Sequence, residues 1–427
     1  MTAEIAVYNK SAVALAADSA VTISGGGKHK IYNGAEKLFA LTKHHPVGVM
    51  VYGSGDLCSA PWELVIKAYR KKLGTKHFQN LEYYVADFFE FLESASSIVT
   101  AGMREGHLYQ YLSEGVFNLL LESFAAKKDD SYWNPLDHAV FFSELETYCH
   151  ELLEHLTDTD FLDGFVDDDL VEAREYCADV TIRIVTEKLS AIPLQEIPGS
   201  FLSAVSNIFS AMICKTNDLG NITGIVFAGY GEDDYYPKVL SYNVCGFFNN
   251  KVRRSTNEHK CSISGESGVT PFAQEEEVGA FMQGVSSTLI NALHSEYQSS
   301  ISNLLEGIDD VVTRMIPNDQ LVEAQTAIVE LVKSTVADCD NRIANFVHEN
   351  YVRKVVDMIK FLPKQDLAYM AESLVNLTAF KRKVSDDSET VGGPIDVAVI
   401  SKADGFIWVK RKHYFSHELN HHYFSRS

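Results

Sequence analysis

Short apolar runs of strand type stand at the beginning, middle and end of this sequence, with two long stretches of helical periodicity between them. That order constrains the fold more than any other feature, because strands from the three blocks must pair across the helices. Residues 4–9 and 12–18 are joined only by Lys10-Ser11, a hairpin signal. Residues 37–41 and 47–52 form a second pair around Lys43-His44-His45-Pro46, and Gly25-Gly26-Gly27 reads as a loop. A helix is expected from Asp56, which can cap it. Runs 221–230 and 237–243 flank the turn Gly231-Glu232-Asp233-Asp234, residues 260–264 read as one more short strand, and 396–401 with 406–409 close the chain. Each block is rich in hairpins, so the sheets should be antiparallel. The expected fold is α+β: two sheets face to face with helices outside, in a single domain spanning 1–427, with helical insertions at about 57–218 and 270–385.

Within the helical stretches, residues 81–92, 116–124, 144–156, 170–189 and 201–214 carry apolar side chains at i, i+3 or i+4. Ten prolines in 427 residues leave room for long helices. The aromatic run Tyr83-Tyr84, Phe88-Phe89 and Phe91 reads as core or subunit interface, and Asp167-Asp168-Asp169 as a solvated helix start.

Composition narrows the function. Acids outnumber bases 58 to 37, so the chain carries 58 − 37 = 21 net negative charges, which repel a phosphate backbone and argue against nucleic acid as a partner. No apolar run approaches the roughly 18 residues a membrane span needs. The first residues have neither the basic nor the apolar region of a secretory signal. Seven scattered cysteines, with no CxxC pair, read as reduced thiols, and a cytoplasmic protein is expected.

Thr2 follows Met1 directly. A small second residue allows removal of the initiator methionine, leaving a threonine that carries a hydroxyl and an α-amine on one Cα. With an ordinary pKa of about 7.7–8.0 the amine is a base at neutral pH, within reach of the hydroxyl it must deprotonate. Most chains that begin Met-Thr make no such use of it. Residues 14–17 end an apolar strand at Asp18, in the hairpin that starts beside Thr2, and Lys37 opens another strand. A buried carboxylate beside a lysine is tolerable as a pair, and the ammonium can lower the pKa of a nearby amine. Taken singly, Asp18 also fits a hairpin-end acid and Lys37 a solvated strand lysine.

The runs Thr2-Ala-Glu-Ile-Ala-Val, Ala-Leu-Ala-Ala-Asp18-Ser-Ala-Val-Thr, Glu-Lys37-Leu-Phe-Ala-Leu and Gly48-Val-Met-Val-Tyr-Gly-Ser-Gly-Asp56 resemble a proteasome β-subunit and the HslV-type peptidases. These are N-terminal-nucleophile (Ntn) hydrolases with a four-layer αββα sandwich of two antiparallel sheets. The resemblance implies a threonine amidohydrolase or peptidase, with Thr2 as nucleophile and Asp18 and Lys37 as its charged support. Lys37 matches if one extra residue is allowed in the preceding loop; Lys28 and Lys30 are not followed by an apolar strand in the same frame. The matching oxyanion amide belongs to Tyr52, with Gly53 next; the family has glycine where Tyr52 stands. Thr22 and Ser54 match the two edges between which substrates lie as an added strand, and Met50 the floor of the first specificity pocket. Residues 222–231, 236–243 and 261–268 resemble the central strand pair and its serine-bearing glycine turn, whose serine is Ser264 or Ser267. Residues 391–397 resemble the glycine turn entering the last strand pair. Here the family's aspartate falls on Ser388, beside Asp387, and its next serine on Val391. The resemblance implies peptide or protein substrates, a homo-oligomer, no cofactor, and an ATP-dependent unfoldase as a possible partner.

Those departures, with the oversized helical blocks, also fit a member of the same fold that has lost catalysis and serves as a structural or partner-binding protein. His417-Glu418-Leu419-Asn420-His421 fits HExxH, a zinc-hydrolase pattern, with His413 and His422 nearby. It lies six residues from the end of the sequence, with no room for a third ligand downstream, and a polar tail fits it better. The acidic run at 158–164 is out of frame for a calcium loop, and Gly25-Gly26-Gly27-Lys28 lacks the upstream glycine of a phosphate loop.

Overall fold

The tight link Lys10-Ser11 closes the hairpin as expected. In the computed structural model, which describes residues 3–25, 28–133, 137–220, 222–315, 317–385, 391–413, 415–416 and 418–420, strands β1 (Glu4–Asn9) and β2 (Ala12–Ala17) pair antiparallel with Asn9 opposite Ala12. The Asn9 side chain accepts from the Ser11 N–H at 2.9 Å, and its amide donates to the carbonyls of Ile359 and Leu362, both at 2.9 Å. The chain is mixed α+β with antiparallel sheets, and its residues group into two compact units.

The first unit comprises Met1–Ala35, Gly265–Val399 and Trp408–Ser427. One sheet has the order β12-β1-β2-β13-β14, with β12 (Gly268–Ala273) antiparallel to β1, and β13 (Asp396–Ser401) and β14 (Gly405–Lys410) beyond β2; of the last two strands, residues 396–399 and 408–410 belong to this unit. Ile5, Val7, Ala12, Ala14 and Ala16 share one core with Leu367, Ala371, Leu374 and Val375 of α12 (Lys364–Val384). The run of alanines lets that helix lie close on the sheet. Val278 of α8 (Glu275–Gln283) and Ile359 of α11 (Arg353–Ile359) complete this core. The alternate side chains, Ala6, Val13 and Leu15, are also buried, so both faces of β1 and β2 are shut off from solvent. A separate hairpin, β3 (Ala20–Gly25) with β4 (Lys28–Asn33), occupies what the glycines suggest is only a loop. Two long helices, α9 (Ser287–Met315) and α10 (Asn318–Val347), form a helical hairpin.

The second unit comprises Glu36–Ser264 and Ile400–Ile407. Its sheet has the order β11-β10-β9-β6-β5, built from β5 (Leu38–Ala40), β6 (Val47–Gly53), β9 (Thr223–Gly229), β10 (Lys238–Phe248) and β11 (Lys251–Thr256). Val49, Val51, Ile225 and Phe227 form one core with α1 (Trp62–Leu73) and α2 (Leu81–Ser94), which contribute Trp62, Tyr69, Tyr84, Phe88 and Phe89. The aromatic run is therefore core, except for the exposed Tyr83. The other sheet face, with Leu38, Met50 and Val226, is buried too. The remaining helices, α3 (Ala101–Gln110), α4 (Asn118–Ala125), α5 (His138–Thr157), α6 (Asp167–Lys188) and α7 (Gly199–Cys214), surround a core of their own. A π-helical segment, Tyr111–Phe117, joins α3 to α4.

Three local expectations are corrected. No helix starts at Asp56: a two-residue ladder, β7 (Asp56–Leu57) with β8 (Ala60–Pro61), intervenes, turning through Cys58 and Ser59 at positive φ, and α1 begins only after Pro61. Residues 260–264 form a single bridge, Ser262 to Val239, and no strand. The edge of β10 is taken instead by β11, whose arginines disguise it. Arg253 is buried, and its guanidinium donates to the carbonyls of Ile213 and Met212 at 2.9 and 2.8 Å. Asp169 is buried, not solvated: it accepts from the Val166 N–H at 2.9 Å and pairs with Lys251 at 2.7 Å, which closes the start of α6.

Asp234 shows the same logic in the second unit. One carboxylate oxygen accepts from the Leu81 and Gly231 N–H groups at 2.9 and 2.8 Å; the other meets Lys238 at 2.8 Å. Burial alone pushes this carboxyl up, but Lys238 and the two amides outweigh it and hold it below its ordinary value. A depressed folded value means stability present above the unfolded pKa of about 3.9 and lost as pH falls through the folded one. Asp234→Asn is expected to destabilise by about 1–2 kcal/mol at pH 7, with the difference from the parent shrinking when urea unfolding is repeated near pH 3.

Candidate active site

Asp18 sits at the end of β2, where the strand hands over to β3. It is fully buried, and burying a carboxylate is tolerable only if its oxygens are satisfied. Three backbone amides do so: Ala3 donates to Oδ1 at 3.2 Å, and Ala20 and Gly392 donate to Oδ2 at 3.2 and 2.9 Å. The Asp18 N–H returns a bond to the Ala3 carbonyl at 3.1 Å. Ser19 holds the same turn from the other side: its N–H donates to the Gly392 carbonyl at 3.2 Å and its hydroxyl to the Pro394 carbonyl. One acid thus ties together the start of the chain, the β2–β3 corner and the glycine turn ahead of β13. Gly393 adopts φ +77°, and a Cβ there would stand 2.9 Å from Asn33 Cβ, so glycine is required.

Beside this knot lies a cleft of about 450 Å3, bounded by Asp18, Asn33, Asn376, Phe380, Lys383 and Gly392. Thr2, Asp387 and Ser388 lie outside the described residues. Thr22 lies on β3 opposite Ile31. Val391, where the resemblance calls for a serine, is buried among the apolar residues of the α12 core. Ser267, of this unit, is half-buried. Glu4 is fully buried on β1, opposite Ala17 and Ala273. Sequence reasoning misses this second acid, although a lone charge in an apolar strand is a signal for it.

Lys37, Met50, Tyr52, Gly53 and Ser54 belong to the second unit. Lys37 is buried, which overturns the solvated-lysine alternative; its carbonyl accepts from the Val51 N–H at 2.9 Å at the head of β5. Lys30, by contrast, is exposed. Met50 is fully buried, opposite Leu38 on β5 and Val226 on β9. Gly53 takes φ +82°, and a Cβ there would stand 2.4 Å from the Ile222 carbonyl oxygen. The Ser54 hydroxyl turns to Asp56 at 3.0 Å. Ser264, also of this unit, is exposed.

Tyr52 stands where the resemblance calls for a glycine, and a glycine across the strands accommodates it. The tyrosine pairs with Gly224, and a Cβ on Gly224 would lie 1.9 Å from Tyr52 Cζ, so the ring lies across the space a side chain would fill. Lys260 Nζ stands 5.3 Å from the ring centre. Gly224→Ala is expected to cost about 1–3 kcal/mol by overpacking. In a Tyr52→Ala background the same change should cost much less, a coupling that a double-mutant cycle measures.

Four buried thiols are poorly suited to act as nucleophiles. Burial pushes the thiols of Cys58, Cys149, Cys177 and Cys214 up to about 12, which suppresses the reactive thiolate at neutral pH. His417 and His421 lie outside the described residues, and Glu418 is exposed. Among the described residues, no group of three or more His, Cys, Asp or Glu is disposed to hold a metal ion, and no helix is long and apolar enough to cross a membrane. In comparisons with known proteins, no family model matches this sequence and no curated protein does.

Proposed function

We propose that the chain is an N-terminal-nucleophile amidohydrolase of the proteasome type, acting on peptides or proteins through Thr2 once Met1 is removed. The observation that carries this reading is the clamp on Asp18. The residue directly after Thr2 exchanges two hydrogen bonds with a fully buried acid, and that acid also takes an N–H from the late glycine turn. Such a clamp has a structural use in any hairpin; its coincidence with Met-Thr, a buried lysine at the head of β5 and a glycine-ended β6 favours a catalytic one.

In this reading the Thr2 hydroxyl oxygen attacks the scissile carbonyl and its proton passes to the Thr2 amine. The amine then protonates the leaving nitrogen, and water hydrolyses the ester left on Thr2. Lys37 and Asp18 set the local charge, and backbone N–H groups at Tyr52–Gly53 receive the oxyanion. Met50, Thr22 and Ser54 would frame the substrate, and Ser264 or Ser267 would support the amine. The four-layer αββα sandwich belongs to the same proposal, supported by the burial of both faces of the inner strands β1, β2 and β9. Self-association and delivery of substrate by an ATP-driven unfoldase are its further expectations.

Val391 and Tyr52 favour a second reading, a member of this fold without catalysis. Two measurements separate the readings. The intact mass of the chain from its own host shows whether Met1 is removed. Peptide hydrolysis by the parent and by Thr2→Ala shows whether the threonine acts; equal rates end the first reading.

A further inference from the structure

The helical hairpin of the first unit is unlike the rest of the chain: no described side chain in α9 or α10 is buried. The two helices meet along half-buried residues such as Tyr297, Ile301, Leu305 and Ile308 on α9 and Ile328 and Val332 on α10, with Gln325 donating to Asp309 at 2.6 Å and His294 lying 3.5 Å from Asp340. That seam leaves a second apolar row on α9. Leu289, Leu293, Leu304, Val311 and Met315 are all exposed, Leu304 at 61 % and Met315 at 78 %. Their separations of four, eleven, seven and four residues are each close to whole turns, so they form one stripe along the helix. Ser300 and Gly307, seven residues apart, continue the row from Leu293 and leave room for another backbone to approach.

Charge placement identifies what fits there. Glu296 and Arg314 are 18 residues apart, which is five turns, so they share one flank of the stripe. If a second α9 lies antiparallel across the first, centred near Leu305, Glu296 of each copy stands opposite Arg314 of the other, on both sides of the axis. The same register brings the two Leu304 side chains together beside the two Gly307 positions. Within one copy Arg314 has only a loose contact with Asp310, at 3.9 Å, with both side chains 76 % exposed. We propose that the α9 stripe is an isologous dimer surface, at which two copies of this chain pair their helical hairpins into an antiparallel four-helix bundle. The proposal does not depend on the reaction proposed at Thr2.

The test is the mass of the purified full-length chain in solution, by sedimentation velocity at micromolar concentration. The parent should be a dimer, or an assembly of such pairs. Leu304→Glu places two charges at the centre of the interface and should weaken pairing by about 100-fold or more, halving the mass. Glu296→Arg alone and Arg314→Glu alone should each weaken it, and the double exchange should restore it, which a folding defect would not do. A monomeric parent, a mass unmoved by Leu304→Glu, or a double exchange no better than the single ones would each overturn the proposal, the last two in favour of a different partner or surface.

Discussion

Thr2→Ala is expected to lower peptide turnover by about 10³-fold or more, a loss of roughly 4 kcal/mol of transition-state stabilisation. In the proposed mechanism the hydroxyl is the atom that forms the acyl intermediate, and the buried thiols of Cys58, Cys149, Cys177 and Cys214 are held protonated. Thr2→Ser keeps both the hydroxyl and the amine and should retain most of the turnover. A third arm follows from the amine's role. A chain that keeps Met1 has an amide nitrogen at Thr2, which is no base, so activity across preparations should scale with the fraction of molecules whose mass lacks methionine. Initial rates on a short fluorogenic peptide, read beside the intact mass, decide all three. Activity in a preparation that wholly retains Met1 would contradict the mechanism even if the enzyme were real.

Asp18→Ala should show the largest effect on stability. It leaves the N–H groups of Ala3, Ala20 and Gly392 without their acceptor in a buried site, and each orphaned donor costs about 1–3 kcal/mol. Partial relaxation and water entry lower the sum, so about 3–5 kcal/mol is expected, enough to unfold a marginal protein. Asp18→Asn keeps the shape and one acceptor oxygen, and should cost roughly 1–2 kcal/mol. Urea unfolding measures both. Because the clamp holds the residue that follows Thr2, Asp18→Asn should lose more peptide turnover than its stability loss explains at a temperature where it is fully folded. An Asp18→Ala protein that unfolds at the parent's urea concentration would show that the three amides find other partners.

Elements defined by local pattern are legible in the sequence. The β1–β2 hairpin has a two-residue link and alternating apolar residues, and α7 matches its expected 201–214 span within two residues at its start. Elements whose residues contradict their surroundings are not. β11 carries Lys251, Arg253 and Arg254 and looks polar, but Arg253 is buried by giving its guanidinium to main-chain carbonyls that are distant in sequence. The β3–β4 hairpin has a weak pattern, and its glycines signal only a turn.

The sequence by itself determined the alternation of strand blocks with helical blocks, the antiparallel hairpins, and the acid at the end of β2, because these depend on residues a few positions apart. Only the tertiary structure decided that Asp18 is satisfied by an amide 374 residues away, that Tyr52 needs a glycine at 224, and that α9 is left uncovered. Burial and hydrogen-bond satisfaction are properties of neighbours in space, and which distant segments become neighbours is a choice the whole chain makes when it folds.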